Sequence, residues 1–529
     1  MQNICRSYIR GLLMRSDSDQ PERTMLKEKA DRYSRPIVLL SLLMMMFSCS
    51  AHDEQQEQKR PNILFIMSDD HTSQVWGTYG SVLDSVVHAP NIDRLHREGI
   101  QLMNVFATNS ICTPSRASVL TGQYSHKNGV YTLADTLNPA SETVATLLNK
   151  QGYQTGLIGK WHLKSRPSGF DYYNVLPGQG RYFDPVLRDA ENWPEGESFS
   201  GFSADVIADE SLKWLKERNK SQPFLLMTHF KATHEPFNYP SRFDTLYQNR
   251  KMPEPDGLYD FYPEETTRTF EGQVLEILGR RFEENPRRYS DTADEFSLAG
   301  LNEQEARSKI YQKFVKDFLR SGAAIDENIG HLLDYLDSQN LAENTIVIYT
   351  SDQGYFMGES GLFDKRIMYE ESMRMPFVIR YPGTLKAGLQ NSDIILNTDF
   401  APTLLDFAGV ETPKYMQGRS FRANLYGKTP SDWRQAMYYR YWMHQEHRPA
   451  HMGIRTKRYK LIWFYGQPLR NVYGEPATDP TWEFYDLKED PNEGNNLYED
   501  PAYEEHITEL KSELIKRKQR LGDSDKAYP

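Results

Sequence analysis

Segments rich in hydrophobic residues recur along the middle of this chain, each about as long as a single strand, and those at residues 62–67 and 345–350 are nearly continuous hydrophobic runs. They cover residues 62–67, 152–159, 223–230, 345–350 and 376–383. Runs without polar alternation are typical of strands that are buried on both faces of a parallel sheet. The pattern therefore predicts a sheet that is covered on both sides.

Stretches with apolar residues at helical spacing lie between these strands. They predict helices over residues 90–99, 143–150, 204–219, 311–337 and 399–409. We expect Asn91 or Asp93 to cap the first helix, Gly99 to close it, and Ser141 to cap the second. Strands that alternate with helices in this way predict an α/β fold.

The pattern changes after about residue 413, where aromatic residues become frequent. Residues 436–442, 458–465 and 482–487 predict an antiparallel sheet, and residues 503–521 predict a terminal helix. We therefore expect a large domain over residues 61–412 and a smaller C-terminal α+β subdomain over residues 413–529. Residues 239–307, rich in Glu, Arg, Pro and Tyr, predict an irregular insertion at the rim of the functional site.

The first 60 residues resemble a leader and a polar tether. The apolar segment 37–47 follows several basic residues and is too short to span a bilayer, which fits a signal peptide. Residues 46–49 resemble a bacterial lipoprotein cleavage box with Cys49 as the lipidated residue, and ordinary cleavage near Ala51 is the alternative. The chain is expected to be exported to the periplasm or the cell envelope, with membrane attachment only through Cys49.

Charge and cysteine content narrow the possible functions. The net charge of −11 argues against a nucleic-acid surface, so an anionic substrate requires a local cationic pocket. The chain has three cysteines, Cys5, Cys49 and Cys112, and the first two lie in or beside the leader. The mature chain can therefore form no internal disulfide, and a single thiol in an exported protein needs an explanation.

Two of the predicted strands end in the same dipeptide, Ser-Asp. Residues 68–71 read Ser-Asp-Asp-His, and residues 351–354 read Ser-Asp-Gln-Gly. Because ligands bind beyond the carboxyl ends of parallel strands, Asp69, Asp70, Asp352 and Gln353 are candidate ligands of a divalent cation. Hard oxygen ligands suit Ca²⁺, with Mg²⁺ possible. A turn with solvated aspartates is the alternative.

Residues 112–116, Cys-Thr-Pro-Ser-Arg, are followed by an apolar run and Thr-Gly, and they resemble the signature of type I sulfatases. Lys160-Trp161-His162-Leu163 and the Lys231 to His234 stretch resemble two further stretches of that family. The resemblance extends from residue 61 to the C-terminus. The chain departs from the family at Lys164, Gln353 and Ser360, where Gly, Asn or His, and His are usual.

The resemblance implies the fold of the alkaline phosphatase superfamily, in which helices sandwich a large mixed, mostly parallel sheet. It also implies that a maturation enzyme oxidises Cys112 to formylglycine, whose hydrate is the nucleophile. The catalytic residues that it implies are Cys112, Arg116, Lys160, His162, His234 and Lys365. Arg116 follows Cys112 by one helical turn and should face the same way. A buried cysteine, a paired arginine and a loop histidine are the alternatives for Cys112, Arg116 and His234.

An envelope protein with an aromatic and polar rim resembles the carbohydrate sulfatases of gut or marine bacteria. The rim candidates are Tyr438, Tyr439, Arg440, Tyr441, Trp442, His444, His447 and His451, and plain packing is the alternative for each of them. The expected substrate is a sulfated glycosaminoglycan, mucin glycan or algal glycan, contacted by Lys231, Asp364, Arg366, His447 and His451. A phosphodiesterase or phosphonate monoester hydrolase of the same superfamily and a non-catalytic glycan-binding lipoprotein are the competing interpretations.

Overall fold

An eight-stranded sheet forms the centre of the protein in a computed structural model, which describes residues 60–259, 272–289, 296–469 and 475–524. The predicted leader, Cys49 and Cys5 lie outside these residues. Among the residues that the structure describes, no helix combines the length and hydrophobicity that crossing a membrane requires.

The described strands and helices are numbered in chain order. The strands are β1 (Asn62–Asp69), β2 (Ile100–Leu102), β3 (Val105–Phe106), β4 (Gln154–Lys160), β5 (Tyr172–Leu176), β6 (Val186–Leu187), β7 (Glu197–Ser198), β8 (Phe224–Thr233), β9 (Thr345–Ser351), β10 (Phe356–Met357), β11 (Phe363–Asp364), β12 (Arg374–Met375), β13 (Phe377–Arg380), β14 (Leu389–Asn391), β15 (Ile395–Leu396), β16 (Ala436–Tyr441), β17 (His451–Thr456), β18 (Tyr459–Phe464) and β19 (Thr481–Asp486). The helices are α1 (Pro90–Glu98), α2 (Cys112–Thr121), α3 (Ser125–Asn128), α4 (Val144–Lys150), α5 (Ser203–Glu217), α6 (Leu275–Glu284), α7 (Pro286–Tyr289), α8 (Glu303–Ser338), α9 (Glu370–Met373), α10 (Phe400–Phe407), α11 (Arg422–Leu425) and α12 (Glu504–Leu521).

The central sheet has the strand order β14-β2-β13-β9-β1-β8-β4-β5. Strand β13 runs antiparallel to both of its neighbours, and the other pairs of the sheet are parallel. Strands β1 and β9 pair from Asn62 opposite Thr345 to Ser68 opposite Ser351. The two Ser-Asp ends therefore lie side by side, as the parallel arrangement requires.

The side chains of β1 alternate between two hydrophobic cores. Leu64 and Ile66 pack into the core that contains residues of α5 and α8, such as Trp214 and Phe318. Ile63, Phe65 and Met67 pack into the core on the other face, with residues of α2, α4 and α10. Helices thus cover both faces of a mostly parallel sheet, which confirms the predicted fold class.

A second, antiparallel sheet has the order β16-β17-β18-β19, and helix α12 follows it. Its core includes Leu461, Phe484 and Leu510 together with Phe106 and Ile111, which precede α2. The antiparallel sheet and the terminal helix agree with the sequence prediction. The boundary between residues 412 and 413 stays a prediction.

Two helix caps differ from the sequence prediction. Helix α4 is capped by Thr143 instead of Ser141, because the Thr146 amide donates to Thr143 Oγ1 at 3.2 Å. Helix α1 begins at Pro90 without a side-chain cap from its own segment. The free amide of Ile92 in its first turn donates to Asp326 Oδ1 of helix α8 at 2.8 Å. A partner that is distant in sequence does the capping, which local signals could not reveal.

The predicted irregular insertion contains regular structure. Helices α6 and α7 lie within residues 239–307, and helix α8 begins at Glu303 instead of near residue 311. Asn302 and Glu305 form a capping box, in which the Glu305 amide donates to Asn302 Oδ1 at 2.9 Å and the Asn302 amide donates to Glu305 Oε2 at 3.0 Å. This start signal was readable in the sequence as Asn-x-x-Glu and was missed.

Candidate active site

Helix α2 places Cys112 at its first residue, directly above the end of β1. The Cys112 side chain is 1 % exposed, and its thiol donates to Asp69 Oδ1 at 3.4 Å. Burial and the neighbouring Asp69 carboxylate raise the pKa of the Cys112 thiol to about 12. A thiol in this environment stays protonated at neutral pH, so the unmodified side chain is a poor nucleophile.

Three buried carboxylates converge beside Cys112. Asp69, Asp70 and Asp352 each offer an oxygen within 4.8 Å of the others. Burial raises the pKa of Asp70 to about 7, and the Asp69 and Asp352 carboxylates add to this rise although Lys365 opposes it. Burial and then Asp69 raise the pKa of Asp352 in the same direction. The arrangement costs free energy unless positive charge holds it together.

The Gln353 amide fits a cation at this position. Its Nε2 donates to Asp70 Oδ1 and lies 3.8 Å from Cys112 Sγ, whereas its buried Oε1 has no hydrogen-bond partner among the described residues. Carboxylate and amide oxygens are ligands that Ca²⁺ and Mg²⁺ prefer. The following Gly354 allows this close packing, because a Cβ there would lie 2.1 Å from the Glu371 carbonyl oxygen. The donor set therefore fits a hard divalent cation.

Arg116 lies one turn along α2 and faces the same carboxylates as Cys112. Its Nε donates to Asp352 Oδ2 at 2.9 Å, and its Nη1 donates to the Lys160 carbonyl at 2.9 Å. Its Nη2 lies 4.0 Å from Asp69 Oδ1 and makes no hydrogen bond among the described residues. Helical spacing correctly predicted that the two side chains share a face.

Three buried lysines surround the same point. Lys160 Nζ donates to Asp69 Oδ2 and, at 2.6 Å, to Gln179 Oε1. Lys365 Nζ donates to both oxygens of Asp70, at 2.5 and 2.6 Å. Lys231 is 3 % exposed, and its ammonium lies 4.6 Å from the Tyr182 ring centroid. Burial and the nearby Lys160 lower the pKa of Lys231 to about 7.

His162 lies beyond the end of strand β4 and does not belong to the strand. Strand β4 ends at Lys160, and His162 adopts a left-handed conformation with φ of 55° instead of continuing the strand. Its Nδ1 lies 3.4 Å from Thr113 Oγ1, and Thr113 also donates to the His162 carbonyl at 3.0 Å. Burial and the Lys160 charge lower the pKa of His162 to about 2. The ring is therefore neutral at neutral pH.

His234 follows the last residue of β8, next to the carboxylates. Its Nε2 lies 3.9 Å from Asp70 Oδ2, and its Nδ1 donates to the Glu235 carbonyl at 2.8 Å. Because a carbonyl can only accept, Nδ1 holds the proton and Nε2 faces the site. Burial lowers the pKa of His234 well below its usual value.

Asp364 and Arg366 flank Lys365 and pair with each other. Arg366 Nε donates to Asp364 Oδ2 at 3.0 Å, and Arg366 Nη1 donates to the Tyr441 hydroxyl at 3.2 Å. Arg448 Nη1 also donates to Asp364 Oδ2, at 3.0 Å. The neighbouring His447 is half-buried. These residues form a polar surface beside the cationic centre.

The predicted aromatic rim is wrong for several residues. Tyr438, Tyr439 and Tyr441 are at most 1 % exposed, and they belong to the core under the antiparallel sheet. His451 is 1 % exposed, its Nδ1 donates to the Pro449 carbonyl, and its Nε2 accepts from the Met368 amide. His451 is therefore a core residue and does not face a substrate, because both ring nitrogens are used by the backbone.

Sequence reasoning missed residues that support the site. Gln179 binds Lys160, Asn397 Nδ2 donates to Ser115 Oγ at 2.9 Å, and Arg448 binds Asp364. Ser115 in turn donates to the Asp352 carbonyl. Of these, only Ser115 carried a signal, since it belongs to the Cys-Thr-Pro-Ser-Arg stretch.

Comparison with known proteins gave concordant matches along the chain. A family model described as Sulfatase matches residues 61–410, and one described as N-sulphoglucosamine sulphohydrolase, C-terminal, matches residues 358–520. An N-acetylglucosamine-6-O-sulfatase of Bacteroides thetaiotaomicron is 39% identical, over 92% of this chain and 91% of the relative. An ulvan-active sulfatase of Formosa agariphila is 29% identical, over 93% of this chain and 88% of the relative.

Solved structures give the same picture. A protein in complex with its substrate D-glucosamine-2-N,6-O-disulfate superposes with a TM-score of 0.81 at 38% identity, covering 89% of this chain and 99% of that chain. A phosphonate monoester hydrolase of Silicibacter pomeroyi superposes with a TM-score of 0.65 at 22% identity, covering 87% of this chain and 95% of that chain. The second likeness concerns the fold alone.

Proposed function

The chain belongs to the sulfatase family of sulfuric ester hydrolases, and on that premise we propose that it removes sulfate from carbohydrates, with a 6-O-sulfated N-acetylglucosamine as the first substrate to test. The observation that carries the proposal is the convergence of Cys112 with three buried carboxylates and four buried cations at the ends of β1 and β9. The substrate class is supported by the N-acetylglucosamine-6-O-sulfatase that is 39% identical. Glycosaminoglycans and mucin glycans contain such sugars, and an algal glycan is the remaining source.

We propose that Cys112 acts after conversion to formylglycine by a maturation enzyme. The modified side chain would supply a nucleophilic oxygen from a hydrated aldehyde. The raised pKa of the encoded thiol supports this, because an unmodified thiol at this position stays protonated. The position at the start of α2 also suits the attack, since the first amides of a helix stabilise negative charge.

Asp69, Asp70, Asp352 and Gln353 are proposed to hold a divalent cation, with Ca²⁺ preferred to Mg²⁺. When bound, such a cation polarises a sulfate oxygen and screens its charge. The four ligand residues fit this role because all of their donor atoms are oxygens that are buried together. Their positions are fixed by β1 and β9, which are neighbours in a rigid sheet.

Arg116, Lys160, Lys231 and Lys365 are proposed to bind the sulfate group. Each is at most 3 % exposed, so water screens their charges little. Donors that are fixed before the substrate arrives are worth roughly 3–4 kcal/mol each toward the transition state. Gln179 and Tyr182 orient Lys160 and Lys231 and thereby keep the pocket in place.

The two histidines are proposed to move protons. His234 presents Nε2 to the site, and once the bound sulfate anion has favoured protonation of this nitrogen, His234 together with Lys365 Nζ would donate a proton to the leaving sugar oxygen. Burial would lower the pKa of Lys365, but Asp70 and the other nearby anionic groups hold it well above its usual value, so Lys365 stays charged. His162, held by Thr113, would accept a proton from the group at position 112. A bound sulfate anion favours the protonated form of either histidine.

Asp364, Arg366 and His447 are proposed to contact the hydroxyl groups of the sugar, with Lys231 at the boundary to the sulfate. Asp364 accepts and Arg366 donates, so the pair can bind two neighbouring hydroxyls.

Export to the periplasm or cell surface and lipidation of Cys49 also remain proposals. An extracellular sulfatase homologue of Drosophila melanogaster, 28% identical over 70% of this chain and 32% of the relative, is consistent with an exported protein.

Sulfate release from N-acetylglucosamine 6-O-sulfate tests the proposal, with protein from a host that has the maturation machinery. We expect turnover by the native chain and none by Cys112→Ala, which should keep the unfolding temperature. Ser118→Ala is the matched control, because Ser118 is buried in the same helix and its hydroxyl makes no hydrogen bond among the described residues. Near-native turnover by Cys112→Ala would refute the mechanism.

Two further measurements separate the competing functions. Aryl phosphodiesters and phosphonate monoesters are assayed beside aryl sulfates, and a strong preference for the phosphorus esters would overturn the proposed function. Mass spectrometry of the peptide that contains Cys112 tests for replacement of the thiol by an aldehyde. An unmodified thiol together with sugar binding and no hydrolysis would instead support a glycan-binding protein.

A further inference from the structure

Four arginines and two carboxylates form a cluster beside the cationic centre, which we term the arginine wall. It consists of two ion-paired groups, Arg281 and Arg288 with Glu235, and Arg366 and Arg448 with Asp364, and the charge of Arg281 acts on both Asp364 and Arg448. Arg281 Nη1 donates to Glu235 Oε2 at 2.8 Å, and Arg288 Nη2 lies 3.9 Å from Glu235 Oε1. The four guanidinium groups therefore outnumber the carboxylates that they face among the described residues.

Asp364 is shared between two arginines at a single oxygen. Arg366 Nε and Arg448 Nη1 both donate to Asp364 Oδ2, at 3.0 Å each. One carboxylate charge cannot neutralise two guanidinium charges, and the side chains of Arg366 and Arg448 are only 14% and 18% exposed. Burial and the adjacent Arg366 lower the pKa of Arg448. The excess positive charge is therefore poorly screened by water.

Arg448 has side-chain donors to spare, and it is more buried than Arg281 and Arg288, whose side chains are 40% and 60% exposed against 18% for Arg448. Arg366 uses two of its nitrogens for Asp364 and the Tyr441 hydroxyl, whereas the side-chain hydrogen bonds of Arg448 among the described residues are confined to Nη1. The Nε of Arg448 is enclosed beside Gly272. Its Nη2 is neither enclosed nor bonded within the described chain, so this nitrogen can donate to a ligand.

The wall lies next to the reacting centre. Asp364 and Arg366 are the immediate neighbours of Lys365, which binds Asp70, and Glu235 follows His234, whose Nε2 lies 3.9 Å from Asp70 Oδ2. Adjacent residues have α-carbons about 3.8 Å apart. Residues of the wall are therefore chain neighbours of residues at the centre, and they lie within reach of a sugar whose sulfate is bound there.

We propose that Arg448 is a specificity residue that binds a second anionic group of the substrate, beside the sulfate ester that is cleaved. The proposal rests on the proposed function, since it assigns a further substituent to the same sugar substrate. The second group is a sulfate on the same ring or a carboxylate on the neighbouring sugar, and both are planar or tetrahedral oxyanions that a guanidinium binds well.

The test compares sugars that differ only in the second anion. The probes are N-acetylglucosamine 6-O-sulfate, glucosamine 2-N,6-O-disulfate, and 6-O-sulfated N-acetylglucosamine linked to a uronic acid. For each, kcat/KM is measured with the native chain, Arg448→Gln and Arg448→Lys, and the ratio of doubly to singly anionic probe is compared. A loss that affects both probes equally cancels in this ratio.

We expect Arg448→Gln to lower the ratio for one doubly anionic probe by about tenfold to a hundredfold, the range for one charge-assisted hydrogen bond. Arg448→Lys should restore part of the ratio because it keeps the charge. Arg520→Gln is the control, since Arg520 is an exposed arginine of helix α12. The probe that responds identifies the second anion as a sulfate or a carboxylate.

An unchanged ratio for both doubly anionic probes in Arg448→Gln would overturn the proposal. If the native chain hydrolyses no probe, the proposed function fails separately, and calorimetric binding of the three probes to Cys112→Ala decides the role of Arg448. In that arm, the doubly anionic probe should lose affinity selectively in the Cys112→Ala, Arg448→Gln double variant. Equal affinities before and after the change would reject the assignment.

Discussion

Glu370 of helix α9 is the anionic partner of three cations, two of which belong to the antiparallel sheet. Neutralising Glu370 is the sharpest test of how helix α9 is held against this sheet. Arg455 Nε and Nη2 donate to Glu370 at 3.1 and 2.9 Å, Arg374 Nη2 donates at 2.6 Å, and Lys460 Nζ lies 3.0 Å away. The side chains of Arg455 and Lys460 are 5% and 0% exposed. Glu370→Gln keeps the shape and removes the charge.

The expected loss of stability follows from the ion pairs that remain in Glu370→Gln. Lys460 keeps Glu493 at 2.6 Å, but Glu370 supplies every ion pair of Arg455 among the described residues. Breaking a buried pair by removing one partner costs about 3–5 kcal/mol. With an unfolding entropy of about 2.1 cal/mol/K per residue, roughly 1 kcal/mol corresponds to one degree in a chain of this length. We expect the unfolding temperature to fall by about 3–5 °C.

The effect should depend on pH in a defined direction. Burial would raise the pKa of Glu370, but Arg455, Lys460 and Arg374 together hold it well below its usual value. A carboxyl whose pKa is depressed in the folded state stabilises the folded protein at pH values above its unfolded pKa. This stabilisation is lost as the pH falls through the folded pKa. The difference between the native chain and Glu370→Gln should therefore be complete at pH 7 and shrink as the solution becomes acidic.

Differential scanning fluorimetry at fixed protein concentration and scan rate measures the shift, with calcium held constant. Glu489→Gln is the matched control, because Glu489 is 60% exposed and pairs only with Lys488 among the described residues; we expect a change within about 0.5 kcal/mol. Replacing Arg455 by Gln in the same chain should recover part of the loss, since the uncompensated charge is gone. A shift no larger than that of Glu489→Gln would refute the reasoning.

Two further predictions concern the cation and helix α8. Chelation should abolish sulfate release and lower the free energy of unfolding, by about 2.7 kcal/mol if the free cation had been at 100 times its dissociation constant; added Ca²⁺ should restore both more fully than Mg²⁺, and unchanged activity in excess chelator would contradict the assigned ligands. Asn302→Ala removes the acceptor of the capping box and should destabilise by about 1 kcal/mol without changing kcat/KM. A loss of activity larger than the loss of folded protein would show that this cap does more than start the helix.

The two Ser-Asp strand ends show which part of the site could be predicted from sequence patterns. The apolar runs at residues 62–67 and 345–350 predicted buried parallel strands, and their shared ending predicted that Asp69, Asp70 and Asp352 would meet. In the structure these three carboxylates lie together because β1 and β9 are neighbours in register. The spacing from Cys112 to Arg116 also predicted correctly that both side chains share a face, because helical periodicity fixes the direction of both side chains.

Histidines of the C-terminal region show where the same reasoning failed. Hydropathy treats His451 as a polar residue, and the sequence analysis placed it on an exposed rim. In the folded chain it lies against the rings of Tyr439 and Phe464, and its nitrogens bind backbone groups of Met368 and Pro449. Because the Met368 amide is 83 positions away from His451 in the sequence, no local pattern could have predicted this contact.

The sequence by itself determined where the main strands β1, β4, β8, β9 and β13 lie, which residues end β1 and β9, and which family the motifs resemble, because burial and chain periodicity act over a few neighbouring residues. Tertiary structure alone decided that Asp326 caps α1, that Arg455 depends on Glu370, and that Arg448 shares Asp364 with Arg366. Each of these is an electrostatic or hydrogen-bonding contact between segments distant along the chain. Such contacts depend on distances of a few ångströms, which are set only when the separate elements pack against one another.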